Sequence, residues 1–303
     1  MRQKHLEIAL TSINHKFESP RIALEQYSTP PNLAACVIQA AVENGDLGEG
    51  CTVCDLGCGT GILSIGAALS GCDVISVDMC TNALNQAHEN AEALDVDHKI
   101  DFIQAELNYS PDFPSQEKEN TKGKKKSSKR TNRKRYATSR KLDAELNLEV
   151  PCYQQIDDGI PLLTKSVDTV VTNPPFGTKN NPGIDVAFLA TACRISRKSI
   201  YSFHKTSTRK FLLNKITTEW KLGAKVVAEM KFDIPNMYKF HKKKNVDVYV
   251  DLIHIWHLDD NDIDSGAISE ELRKLNINNN HSGATVEDGS VLSPFILNDS
   301  DDE

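Results

Sequence analysis

Between residues 52 and 221, short apolar runs alternate with stretches of helical periodicity, and this alternation restricts the chain to one kind of architecture. The runs at 52–56, 73–77, 99–104, 167–172 and 198–203 have the length of strands, and the segments 61–70, 81–94, 184–196 and 207–221 read as helices. Strands separated by helices pair in parallel through right-handed crossovers. The last two runs, 225–232 and 246–256, have no helix between them and are expected to pair antiparallel. Ahead of the alternation stand an amphipathic helix over 1–16 and a second helix ending near Asn44. Thr29-Pro30 begins that second helix well, with a capping hydroxyl and a proline that loses no needed donor. The expected fold is α/β: one doubly wound, seven-stranded sheet, mostly parallel with a terminal antiparallel hairpin, spanning residues 1–258.

Charge shows where this pattern stops. Of the 303 residues 39% are hydrophobic, enough for one substantial core, and the net charge is −7. Residues 121–141 carry 11 Lys and Arg and no acid, and residues 259–303 carry 12 Asp and Glu against 2 basic residues. The region from about 109 to 150 is polar and without periodicity, and it is expected to be a disordered basic insert within the domain. Its stretch from Lys122 to Arg135 reads as a nuclear localisation signal, an RNA-binding arm or a solvated insert without a role. The acidic tail over 259–303 is expected to be disordered as well. No apolar run approaches a membrane span, and the first residues lack a signal-peptide core, so a soluble, non-secreted protein is expected. Eight cysteines then read as reduced thiols. Cys51 and Cys54 are three apart in a strand and point to opposite faces, so no metal site is expected.

Two segments carry chemistry. In the first, the strand Val53-Cys54-Asp55-Leu56 ends in Gly57-Cys58-Gly59-Thr60-Gly61, an acid followed by three glycines spaced two apart before a helix. Glycines there let the backbone turn sharply and approach a ligand at the carboxyl edge of the sheet. The next strand ends in Asp78, 17 residues past Gly61, where a carboxylate can accept both hydroxyls of a ribose. As a plainer alternative, Asp78 is a helix-capping acid, a place that Thr81 can also fill.

In the second segment, the apolar strand 167–172 runs into Asn173-Pro174-Pro175-Phe176. Two prolines cannot continue a strand, so the chain breaks there, again at the carboxyl edge. An aromatic amine is a poor nucleophile because its lone pair is delocalised into the ring. Acceptors for both its N–H groups would localise that pair. The Asn173 side chain and the Pro174 backbone carbonyl can provide them, and Phe176 offers a face for a base. Adenine N6, cytosine N4 and a glutamine amide all present such a group.

With these residues the chain resembles the class I S-adenosyl-L-methionine methyltransferases. That resemblance implies that the sheet is Rossmann-like, that Asp55 neighbours the methionine part of the cofactor, that Gly57, Gly59 and Gly61 pass beneath it, and that Asp78 binds the ribose. The family usually has an Asp after the third strand, and this chain has Glu106.

Longer stretches are similar to the eukaryotic small-subunit ribosomal RNA adenine N6-methyltransferases of the methyltransferase-like protein five type. They are Leu24-Glu25-Gln26-Tyr27-Ser28-Thr29-Pro30, residues 173–189, residues 201–209 and Tyr238-Lys239-Phe240-His241-Lys242-Lys243-Lys244. The resemblance implies N6-methylation of an adenine in small-subunit ribosomal RNA, with Gln26, Thr29, Gly57, Thr60, Ile62, Asp78, Glu106 and Leu107 lining the cofactor. It also implies a heterodimer with a small zinc-binding activator subunit, for which the sheet edge at 100–103 is suited. Work in the nucleus, including the nucleolus, and the cytoplasm is expected. Independently, His204, Lys205, Arg209, His241 and Lys242, Lys243 and Lys244 follow strands or lie in the terminal hairpin loop, where they can hold RNA phosphates. For the three lysines a merely solvated hairpin tip is the alternative. Two rival functions stay open: a protein glutamine N-methyltransferase and a catalytically silent RNA-binding scaffold.

Overall fold

The computed structural model describes residues 2–108, 153, 157–177, 181–235 and 245–258. The expected basic insert and acidic tail, and the expected phosphate contacts at 241–244, lie outside the described residues.

Seven strands form one sheet: β1 (Thr52–Leu56), β2 (Asp73–Asp78), β3 (Ile100–Gln104), β4 (Val167–Thr172), β5 (Ser196–Lys205), β6 (Gly223–Pro235) and β7 (Asn245–Trp256). Their spatial order is β3-β2-β1-β4-β5-β7-β6. The first five pair in parallel, and β7 runs antiparallel between β5 and β6, as the missing helix between the last two runs requires. Helices α1 (Gln3–Ser12), α2 (Pro31–Glu43) and α3 (Ile62–Leu69) bury Leu6, Leu10, Val37, Ile38 and Ile65 in one core cluster. Helix α4 (Thr81–Glu92) adds Ala91 to the same cluster. Helices α5 (Ile184–Ile195) and α6 (Arg209–Asn214) bury Leu189, Ile195 and Leu212 in a second cluster with Trp220. A parallel sheet covered on both faces calls for strands without a polar side, and every residue of β4 is buried.

Three local expectations differ from the structure. The first helix, expected over 1–16, ends at Ser12, and Ile13 is extended. Helix α6 stops at Asn214 and gives way to a π-helical turn, Lys215–Glu219. Thr217 Oγ1 donates to Leu213 O and Thr218 Oγ1 to Asn214 O, so two hydroxyls compete for carbonyls that an α-helix would use. Thr29 does not cap α2. Pro30 occupies the cap position without a side-chain bond, and the Thr29 hydroxyl is engaged elsewhere.

The segment after the long interruption is anchored by a buried ion pair. Arg194 on α5 donates from Nε to Asp158 Oδ2 and from Nη2 to Asp158 Oδ1, both at 2.8 Å, and from Nη1 to Leu162 O at 2.6 Å. Asp158 O in turn accepts from Asn108 N at 2.8 Å, so the chain leaves and rejoins the domain at one point. Both side chains of the pair are under a tenth exposed. Removing one partner strands the other charge away from water, which costs about 3–5 kcal/mol. Arg194→Ala is therefore expected to lower the stability measured by chemical denaturation by that order, and a change under about 1 kcal/mol would contradict the role assigned to the pair.

Candidate active site

The strand order reverses between β1 and β4, and the loops that leave their carboxyl ends turn to opposite faces of the sheet. Between them lies a cavity of about 410 Å³. On the β1 side, the backbone N–H groups of Gly57 and Cys58 both donate to Val77 O at the tip of β2, and Gly59 N donates to Asp78 Oδ2 at 2.9 Å. The loop is thereby clamped to the neighbouring strand. Gly57 and Gly59 both have positive φ, and each has an aromatic ring where a Cβ would go: Phe188 Cε1 at 2.9 Å and Phe17 Cζ at 2.8 Å, respectively. A side chain at either position would collide with that ring.

Asp55 is buried at the end of β1. Its Oδ2 accepts from Ser64 N at 2.9 Å and Ser64 Oγ at 2.6 Å, and its buried Oδ1 has no hydrogen-bond partner. Burial pushes the carboxyl up to about 7, against the two bonds from Ser64. Asp78 is likewise raised by burial, and its Oδ1 accepts from Cys80 N at 2.8 Å. The capping alternative therefore describes part of what Asp78 does, but a carboxylate has further acceptor sites, and Asp78 lines the cavity.

A strap formed by residues 13–30 covers the cavity. Gln86 on α4 donates to Asn14 O and Lys16 O, and Asn90 Nδ2 donates to Asn14 O and Thr60 O. Thr60 Oγ1 donates to His15 O, Ser28 Oγ accepts from Phe17 N, and Asn181 Nδ2 donates to Ala23 O. The strap's far end meets the Asn-Pro-Pro-Phe segment, where Asn173 Nδ2 donates to Thr29 Oγ1 at 2.9 Å. Asn173 Oδ1 is buried and has no hydrogen-bond partner.

Of the residues singled out in the sequence, Gln26, Thr29, Asp55, Gly57, Gly59, Thr60, Ile62, Asp78, Glu106, Leu107, Asn173 and Pro175 line this one cavity. Gly61 does not; a Cβ there would meet Ala87 Cβ at 2.8 Å, so it serves the packing of α3 on α4. Pro174 and Phe176 are buried off the cavity wall. The Phe176 ring sits in the core cluster with Lys205 Nζ at 5.8 Å from its centroid, and the face expected for a base is turned inward.

Two residues expected to meet phosphates are placed otherwise. His204 is fully buried, with Nε2 2.8 Å from Ser202 Oγ, and burial pushes its pKa down to about 3, so it is a neutral core residue. The Arg209 guanidinium is held by Asp251 and Glu229, which ties α6 to β6 and β7. Strap residues Phe17 and Ser28, and Phe188 on α5, were not singled out in the sequence, because no local pattern marks a contact across so many positions.

A cavity at the carboxyl ends of β1 and β4, walled by a glycine loop, a buried acid and a half-buried one, defines an α/β methyltransferase, and residues 47–120 match the methyltransferase domain family. The rRNA N(6)-adenosine-methyltransferase METTL5 of Danio rerio is 35% identical over 84% of this chain and 98% of its own length. The METTL5 homologue of Drosophila melanogaster is 33% identical over 78% and 87%, and that of Caenorhabditis elegans 34% over 80% and 92%. The chain belongs to this METTL5 family. The crystal structure of PH1948 from Pyrococcus horikoshii, 28% identical, superposes with a TM-score of 0.58 over 86% of this chain and 99% of that one. Among the described residues no helix is long and apolar enough to cross a membrane.

The methyl donor of this class is S-adenosyl-L-methionine, and the residues present fit it. Gly57 and Gly59 let the loop turn at positive φ along the cavity wall, where a Cβ would strike Phe188 or Phe17, and the unpartnered Asp55 Oδ1 would offer an acceptor to a cationic ligand.

The raised carboxyl of Asp55 sets a pH dependence. The folded state holds that proton more tightly than the unfolded chain, whose carboxyl has the ordinary value of 3.8. Its contribution to stability is complete below pH 3.8 and is lost as pH rises through about 7. Melting Asp55→Asn beside the wild type without ligand should show the variant gaining relative stability across that window; a difference independent of pH would contradict the assignment.

Proposed function

We propose that this chain transfers a methyl group from S-adenosyl-L-methionine to N6 of an adenine in small-subunit ribosomal RNA. The observation that carries the reading is the Asn173 amide: its amino end is occupied by Thr29, and its carbonyl oxygen is buried at the cavity with no partner. A buried acceptor left bare costs about 1–3 kcal/mol, and a site can sustain that where a ligand supplies the missing donor. The amine of the target base is such a donor. The names of the three curated relatives, which cover nearly all of their own lengths with this chain, support adenine N6 in ribosomal RNA over cytosine N4 or a glutamine amide.

When bound, the donor supplies an electrophilic methyl carbon on a sulfonium. Asp78 would hold the ribose hydroxyls, the loop through Gly57 and Gly59 would pass beneath the methionine part, and Asp55 would offer its unpartnered oxygen to the positive charge. Asn173 Oδ1 accepts one N–H of the amine and draws its lone pair out of conjugation with the ring. The nitrogen so held would accept the methyl group that the donor supplies, the C–S electron pair would stay on the donor's sulfur, and the surplus proton would pass from nitrogen to water. Positioning two reactants in line is the main contribution of such a site. The target base has to be unstacked to enter the cavity, and Lys205 stands at the sheet end where its phosphates would pass.

A small zinc-binding activator subunit is part of the proposal. β3 is an outer strand of the sheet, with Phe102 and Ile103 only half buried, and such an edge is suited to pairing with another chain. Work in the nucleus, including the nucleolus, and in the cytoplasm is proposed on the basic stretch from Lys122 to Arg135.

The test is transfer of labelled methyl to small-subunit ribosomal RNA, with and without the activator, followed by nucleoside analysis. The label is expected in N6-methyladenosine. Asn173→Ala should lower kcat by about 100-fold or more, as loss of a preorganised polar group typically does, while leaving the melting temperature and donor affinity near wild type. Label in a protein glutamine or in cytosine, or unchanged turnover in the variant, would overturn the reading.

A further inference from the structure

The bond between Thr29 and Asn173 joins the strap to the reacting centre across 144 positions of sequence. An Asn side chain has two ends of nearly equal size, and half a turn about its last bond exchanges them. For the proposed reaction the two orientations are opposites. A carbonyl facing the amine accepts its N–H, whereas an amino group there would set donor against donor. In the structure Nδ2 donates to Thr29 Oγ1 at 2.9 Å, and Oδ1 is the end left bare. In the reversed amide Thr29 Oγ1 would instead donate to Oδ1, and the N–H groups of Nδ2 would face the amine, donor against donor.

We infer that Thr29 is a positioning residue of methyl transfer, whose hydroxyl holds the Asn173 amide with its carbonyl toward the amine. Thr29 is 6% exposed, so the bond is largely shielded from bulk water. The strap that carries it is fastened to the donor side of the cavity through His15 O and Thr60 Oγ1, and to the segment after the catalytic turn through Ala23 O and Asn181 Nδ2. A seated strap is therefore a condition for a correctly turned Asn173, and the donor pocket and the acceptor site are assembled together. This deepens the reading of function above and rests on it.

The test uses the full chain with Thr29→Val, which keeps the shape and removes the hydroxyl, and Thr29→Ser, which keeps the hydroxyl. Thr29→Val is expected to lower kcat about 10- to 100-fold, the usual effect of a misplaced reacting group, with S-adenosylhomocysteine affinity and melting temperature close to wild type. Thr29→Ser should recover most of the loss. The Asn173 side-chain amide signal, assigned by its disappearance in Asn173→Asp, provides a readout independent of turnover. Its protons should be protected from exchange with water in the wild type and in Thr29→Ser, and exposed in Thr29→Val. Wild-type kcat in Thr29→Val, or a loss confined to donor affinity, would overturn the inference. Wild-type protein that shows the held amide but methylates no RNA would overturn the function and still support the held orientation.

Discussion

β1 and β4 lie side by side and parallel, yet the chain leaves β1 toward the face covered by α3 and leaves β4 toward the face covered by α5. Their two loops cannot close over the edge they share, and the gap between them is the cavity. The other parts of the site depend on this divergence. The glycine loop needs β2 beside it to accept its N–H groups at Val77 O and Asp78 Oδ2. The Asn-Pro-Pro-Phe segment needs β4 to end where the prolines begin. Donor and acceptor chemistry thus arrive from two strands that are neighbours in space and more than a hundred residues apart in sequence, and the sheet's own twist and pairing fix their separation.

The wall of this cavity carries polar atoms left unsatisfied by the protein. Asp55 Oδ1 and Asn173 Oδ1 are both buried without partners, and burial raises the carboxyls of Asp55 and Asp78. Each of these conditions costs stability in the free protein, and a cationic donor and an amine would relieve them. The strap adds a second layer of control. It is held by side-chain bonds to backbone carbonyls rather than by a large apolar face, an arrangement suited to a segment that opens and closes.

Much of this was legible in the amino-acid sequence, for identifiable reasons. The strands at 52–56 and 167–172 are continuous apolar runs that end in glycines or prolines, so both their limits and the placement of Asp55 and Asn173 at a sheet edge could be read from punctuation alone. Asp78 was legible by the same rule. The failures were non-local. His204 follows an apolar run and looks like a basic residue at a strand tip, but β5 lies inside a sheet covered on both faces, and the imidazole is enclosed. Arg209 reads as a phosphate contact because its partners, Glu229 and Asp251, lie on strands formed later in the chain. Thr29 read as a helix cap, which is the best local use of a threonine before two prolines, and its true partner is Asn173. Phe17 and Phe188, which press on the glycine loop from two sides, have no periodic signature at all.

In the proposed reaction Asn173 Oδ1 receives the amine of an adenine across from the donor methyl. The most direct measurement is a crystal structure of the protein with a bisubstrate compound in which adenosine is joined through N6 to the sulfur-bearing end of the donor. The linked nitrogen is expected within hydrogen-bond distance of Asn173 Oδ1, with Nδ2 still on Thr29 and the donor ribose on Asp78. A bound compound whose adenine turns its N6 away from Asn173, or an Asn173 amide reversed onto Thr29, would contradict it.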